Sequence, residues 1–285
     1  QHMRAQQSGE ALSTAAPVVS VPRECRNARG QAIGITDDHL NQLSDPNSSV
    51  IILAPGYGQT ASDFTALAYY LAQYQCRVLR YDPTNHLGNS EGELQQTTLR
   101  SMQHDLEKVI EFVRQTWPQA PVVIVASDLA ARAALKTAAH IRPLDLLLLV
   151  NPVIDVTHML MTVHGHDLVA DYQFGLRRGV CNLLGLNVNI DQFIGDLVAG
   201  RCADLESTLE DLRLIRSPLC IATSPANSAG LAPTDLPHAF VTALGTHTRL
   251  VNISSSLTDR RLDVQGAPPP AFKQLLKQIG TVLSV

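Results

Sequence analysis

Long apolar runs are missing from this 285-residue chain. The strongest stretch, Leu144 to Val150, is broken by Asp145 and is far shorter than the roughly 20 residues that cross a bilayer. The N-terminus offers no apolar signal core either. A cytoplasmic chain without a membrane span is therefore expected. Charge is scarce: 17% of residues are charged, with 22 Lys and Arg against 26 Asp and Glu. No basic stripe exists to neutralise phosphates, which excludes a nucleic-acid partner. The five cysteines (Cys25, Cys76, Cys181, Cys202, Cys220) are an odd set without redox or metal-ligand spacing, and read as reduced thiols. Internal repeats and low-complexity linkers are lacking. Apolar residues make up 45% of the chain, ample for a buried core.

Residues 1–19 show no periodicity and read as a flexible tail, opening on Gln1-His2-Met3, which resembles an expression scar. Weak strand signals follow at Val19–Val21 and Ala32–Ile35. From Val50 the pattern sharpens. Val50–Ala54 is a continuous apolar run, as in a strand buried on both faces of a parallel sheet, Pro121–Val125 is a further buried strand, and Arg77–Tyr81 and Leu144–Val150 are read as strands beside them. Between them Ala61–Tyr74, Leu99–Trp117 and Leu129–Ala139 carry helical periodicity. This alternation predicts a doubly wound, mostly parallel α/β sheet. Residues 153–214 break the rhythm with helical patterns at Asp167–Leu184, Asn189–Ala199 and Asp204–Leu214, and are expected to form a helical cap insertion. Strands resume at Pro218–Ala222 and Thr248–Ile253, before a last helix from Ala271 to about Leu283. A single domain over residues 20–285 is expected.

Catalytic groups in such sheets sit beyond the carboxyl ends of the strands. After the third strong strand stands Ala126-Ser127-Asp128-Leu129-Ala130, where a nucleophile elbow belongs. The elbow needs small residues two places either side of its apex. With Ser127 at the apex those places hold Val125 and Leu129, both bulky. With Asp128 they hold Ala126 and Ala130. Sterics thus put Asp128 at the apex, with Ser127 as a substrate-binding neighbour; a helix-capping aspartate is the plainer alternative. Pro55-Gly56-Tyr57-Gly58-Gln59 follows the first strong strand. Its turn is placed to offer the Tyr57 N–H to an oxyanion, paired with that of Leu129, with Gly56 and Gly58 lining the substrate. Asp82 to Gly92 holds His86, a candidate base. His158, His164 and His166 in the cap region are others. His164-Gly-His166 lacks a third ligand, so no metal site is expected, and no cofactor.

These residues resemble the acyl transferases of bacterial luminescence operons, acyl-carrier-protein thioesterases of the α/β-hydrolase fold. The similarity spans roughly residues 49–285. It is carried by Ile51-Ile-Leu-Ala-Pro-Gly-Tyr57, Arg80-Tyr-Asp82 through Gly88, Ala126 through Arg132, and Ser217-Pro-Leu219 through His247. The resemblance implies a serine, aspartate and histidine triad in that chain order. Here the serine position matches Asp128. The acid position, Thr223 to Ser228, has no carboxylate, and Ser254 to Asp259 has no histidine. An acyl-serine mechanism is therefore excluded. Three readings follow. In the first, the chain is a divergent enzyme on an acyl or polyketide-like substrate, carrier-bound or free, with Asp128 as base or nucleophile. In the second it is a pseudo-hydrolase that binds an acyl ligand or protein partner. In the third, a thioesterase or acyl transferase works with a non-standard catalytic set, Ser127 included. An aspartyl ester would need a histidine to activate water, which favours proton transfer and non-hydrolytic chemistry within the first.

Overall fold

The centre of the molecule is a sheet whose middle strands are apolar on both faces because helices cover both. The computed structural model describes residues 16–225, 236–258, 266–281 and 283. In chain order the elements are β1 (Val18–Arg26), β2 (Ala32–Leu40), β3 (Val50–Ala54), α1 (Thr65–Ala72), β4 (Arg77–Tyr81), α2 (Leu99–Thr116), β5 (Val122–Ser127), α3 (Asp128–His140) and β6 (Leu146–Val150). An insert then supplies α4 (Val156–His164), α5 (Leu168–Gln173), β7 (Val180–Leu183), β8 (Leu186–Asn189), α6 (Ile190–Ala199) and α7 (Leu205–Leu214). The main sheet resumes with β9 (Leu219–Thr223), α8 (His238–Ala243), β10 (Thr248–Asn252) and α9 (Pro270–Gly280).

The sheet order is β1-β2-β4-β3-β5-β6-β9-β10. β2 runs antiparallel to β1 and β4, and every other pairing is parallel. This is the expected α/β-hydrolase arrangement. One face packs α2 and α3 through Leu106, Ile110, Ala131 and Leu135. The other packs α1 and α9 through Leu67, Leu71, Phe272 and Leu275. Thr98 and Ser101 cap α2 reciprocally, each hydroxyl accepting the other's N–H at 3.0 Å. No helix among the described residues is long and apolar enough to cross a membrane.

Three expectations change. The β1 strand takes in Val18 and Val19, two residues of the segment read as tail; residues 1–15 lie outside the described residues. The helix expected over Asp167–Leu184 stops at Gln173. Beyond it, β7 and β8 form a hairpin in which Leu183 pairs with Leu186 across Leu184-Gly185. Both loop residues have positive φ, 52° and 92°, the geometry that turns a two-residue hairpin with the twist of its strands. Position one of such loops favours Asn or Asp, and a leucine there hides the signal. The insert is thus helical with a hairpin, where only helices were expected.

Polar contacts join the shared apolar core in tying the insert to the main body. Arg132 and Lys136 of α3 each reach Asp211 of α7 at 2.8 Å, in a buried cluster. The Tyr57 hydroxyl donates to the Leu183 carbonyl at 2.7 Å. The loop after β4 is held by hydrogen bonds within itself and to its neighbours. Its Asp82 carboxylate accepts the N–H groups of Ala61 and Asn89 at 2.8 and 2.9 Å. Gly88 sits at φ +105°, and a Cβ there would lie 2.5 Å from the Asp82 carboxyl carbon. Substituting Gly88→Ala therefore combines backbone strain with a clash, and should destabilise the fold by about 1–3 kcal/mol in denaturant unfolding. An unchanged midpoint would show that the loop yields freely.

Candidate active site

β5 delivers Ser127 in extended conformation, with φ −122° and ψ 155°. The chain then turns sharply at Asp128, whose φ is 52°. A left-handed backbone costs a residue with a Cβ about 1–2 kcal/mol, so the surroundings must hold it. They do: Ala126 and Ala130, on either side, are 1% and 3% exposed. The Asp128 carbonyl accepts the Val153 N–H at 3.1 Å. Ser127 remains within the sheet, opposite Val150. The left-handed residue of the strand–helix turn is thus Asp128.

The turn after β3 is closed by its own side chains. Gly56 N–H donates to Gln59 Oε1 at 2.7 Å, and Gln59 N–H donates back to the Gly56 carbonyl at 3.0 Å. Gly58 N–H donates to His86 Nε2 at 2.8 Å. The N–H groups of both glycines, residues expected to line the substrate, are thus engaged, Gly56 within the turn and Gly58 by the loop after β4. Tyr57 N–H has no partner among the described residues. Leu129 N–H lies in the first turn of α3, where helical N–H groups have no carbonyl within the helix.

His86 is buried against this turn, its ring 5.7 Å from that of Tyr57. Because Nε2 accepts a backbone N–H, the proton sits on Nδ1, which lies 3.3 Å from Thr97 Oγ1 and donates to it. The Thr97 hydroxyl in turn donates to the Asn85 carbonyl. Burial lowers the imidazole to about 4, against a smaller raising effect of Asp82. Both ring nitrogens are therefore occupied, and the neutral form is held.

Beside the elbow opens a cavity of about 480 Å³. Tyr57, Asp128 and Leu129 line it from the main body, and Met159, Val163 and His164 from α4. Asn182, Leu184 and Gly185 line it from the hairpin. Three of the expected site residues, Asp128, Tyr57 and Leu129, come together here. Ser127, His86, Gly56 and Gly58 are not on the lining. The hairpin residues escaped the sequence because the stretch ending at Leu184 was taken for helix; Gly185 followed by the alternating Leu186-Asn-Val-Asn189 was the available signal. Of the apolar residues of the insert, Leu168, Val169, Leu183, Phe193 and Ile194 are core, and Phe174 is 91% exposed. Leu184, with Met159 and Val163, reaches the cavity.

Of the insert histidines, His158 and His166 are exposed. His164 reaches the cavity, where its Nε2 accepts the Leu184 N–H at 3.3 Å. Burial lowers its pKa, with His166 adding to the effect. Among the described residues no three His, Cys, Asp or Glu side chains form a metal set. At the triad-acid position, Ser224 N–H donates to Asn151 Oδ1 and its hydroxyl accepts from Asn151 Nδ2. Asn227, Ser228 and Asp259 lie outside the described residues. A second cavity of about 450 Å³ beside α2, lined by Thr84, Thr98, Arg100 and Asp105 among others, holds none of the elbow residues.

The chain is 31% identical over 180 residues to an acyl transferase of Photobacterium leiognathi, covering 62% of this chain and 55% of that one. It thus spans about half the length of the curated relative it matches. Among solved structures it resembles Est1E from Butyrivibrio proteoclasticus with ferulic acid bound, at a TM-score of 0.68 and 14% identity, covering 92% of this chain and 100% of that one. It also resembles the thioesterase domain from the curacin biosynthetic pathway, at 0.55 and 16%, covering 84% and 94%. At these identities the likeness shows the fold alone, an α/β-hydrolase fold. A family model described as acyl transferase matches residues 27–250, most of the chain, and this protein belongs to that family.

Proposed function

We propose that this protein processes an acyl or polyketide-type substrate by proton transfer at Asp128, without hydrolysis. The observation that carries the reading is a left-handed aspartate at the elbow, lining one cavity with Tyr57 and Leu129. Chance replacement at an unused elbow would favour relief of the strain by glycine, not a second Cβ residue with a charge. The substrate is a thioester delivered by an acyl carrier protein in the cytoplasm, and the insert acts as its cap. In the proposed step the Asp128 carboxylate takes a proton from the carbon next to the carbonyl. The C–H electrons become the C=C bond of an enolate, whose oxygen is held by the Tyr57 and Leu129 N–H groups. Collapse of the enolate returns a proton to carbon, or expels a group from the neighbouring carbon. Water is not a reactant. Without a histidine after β10, an aspartyl ester would have no partner to activate water, so attack by Asp128 is disfavoured. The departure of all three triad positions supports a second reading, a pseudo-hydrolase that only binds its acyl ligand or a protein.

The test is deuterium uptake at the α-carbon of acyl N-acetylcysteamine thioesters in heavy water. Wild type should catalyse uptake and Asp128→Asn should lose it, by a factor on the order of 100 or more, while Ser127→Ala should keep it. Uptake no faster than the uncatalysed rate in wild type would favour the pseudo-hydrolase. Uptake lost with Ser127→Ala would revive a shifted register.

In this reading His86 positions the turn and is not the base. The folded chain holds it neutral down to about pH 4, while the unfolded imidazole titrates near 6.5. Its contribution is therefore complete above pH 6.5 and is lost as pH falls to 4, on the order of 3 kcal/mol. Asp105, which burial raises to about 6, slopes the other way, so the comparison must be wild type against His86→Gln. The stability gap between the two should shrink as pH falls from 6.5 to 4. A constant gap would remove the positioning role.

A further inference from the structure

Two polar side chains on the cavity wall, His164 and Asn182, each have an acceptor engaged and a donor left over. His164 Nε2 accepts the Leu184 N–H at 3.3 Å, which puts the ring proton on Nδ1. Asn182 Oδ1 accepts the Gly185 N–H at 3.2 Å, which leaves its NH₂ group to donate. Neither Nδ1 of His164 nor Nδ2 of Asn182 has a partner among the described residues. The Tyr57 hydroxyl already donates to Leu183. Asp128 is the single charged residue on the lining, and the rest of the wall (Met159, Val163, Leu184) is apolar. These donors stand on α4 and the hairpin, elements separate from the elbow that would hold the carbonyl.

We infer that His164 and Asn182 select acyl chains carrying an oxygen acceptor beyond the thioester carbonyl, the β-oxo or β-hydroxy pattern, over plain fatty chains. The inference rests on the acyl reading above and deepens it by naming the substrate class. A plain methylene chain lying against His164 and Asn182 offers neither donor an acceptor, whereas an oxygen on the chain can accept from them. A hydrogen bond gained with one ligand and absent with its analogue separates the two in affinity. The neutral imidazole suits this role. Low basicity keeps His164 as an N–H donor with a fixed tautomer, and the hairpin backbone fixes the direction of both side chains.

Binding separates this inference from the chemistry at Asp128. The probes are N-octanoyl-cysteamine and N-(3-oxo-octanoyl)-cysteamine, amides that resist acyl transfer, measured by calorimetry on the full chain. Wild type should prefer the oxo probe by on the order of tenfold. Asn182→Leu and His164→Phe should each reduce that ratio toward one, chiefly by weakening the oxo probe. His164→Gln, which keeps both a donor and an acceptor for Leu184, should retain most of it. Thermal melts check that each variant is folded, and Asn182→Leu carries the test if His164→Phe is not. Equal affinity for the two probes in wild type, or a preference untouched by both apolar variants, would overturn the inference. Because no turnover is read, loss of α-carbon exchange would sink the proton-transfer reading and leave this one standing.

Discussion

The left-handed backbone at Asp128 is the constraint on which the site depends. One residue must reverse the chain from β5 into α3 within a single turn, and only small neighbours permit it. Ala126 and Ala130 provide that space, and the alanine-rich α3 then lies close against the sheet. The same turn lifts the Asp128 side chain out of the sheet and leaves the Leu129 N–H at the helix start. Moving the apex to Ser127 would push Val125 and Leu129 into the closest approach, where neither fits.

Around this point the structure uses internal hydrogen bonds to decide which groups remain available. Gln59 and His86 take up the N–H groups of Gly56 and Gly58, so the turn after β3 is rigid and the Tyr57 N–H is what it has left to give. On the far wall, the hairpin N–H groups occupy the acceptors of His164 and Asn182. The cavity thus combines one carboxylate, several N–H donors and an apolar remainder. That set is the basis of the proton-transfer reading proposed above.

The sheet was legible in the sequence because its central strands are buried on both faces and so read as unbroken apolar runs. The elbow register was legible from sterics alone: the alternation of Ala126, Asp128 and Ala130 against bulky Val125 and Leu129 distinguished two adjacent residues. The hairpin was not. Its loop begins with Leu184, its strands are four residues each, and an apolar stretch of that length fits helix and strand equally well. His86 and the two glycines were marked for chemistry because loop residues beyond strands often carry it. The structure shows their hydrogen bonds to Gln59 and to one another, which no local pattern reveals.

The central claim is that the Asp128 carboxylate exchanges a proton with substrate and forms no bond to it. Turnover of an acyl N-acetylcysteamine thioester in water enriched in heavy oxygen, followed by mass spectrometry of the peptide containing Asp128, tests this directly. The account predicts product formation with an unlabelled Asp128 carboxylate, since no ester forms there and no water attacks it. Heavy oxygen in that carboxylate would mean an aspartyl ester had formed and been hydrolysed, and would contradict the account.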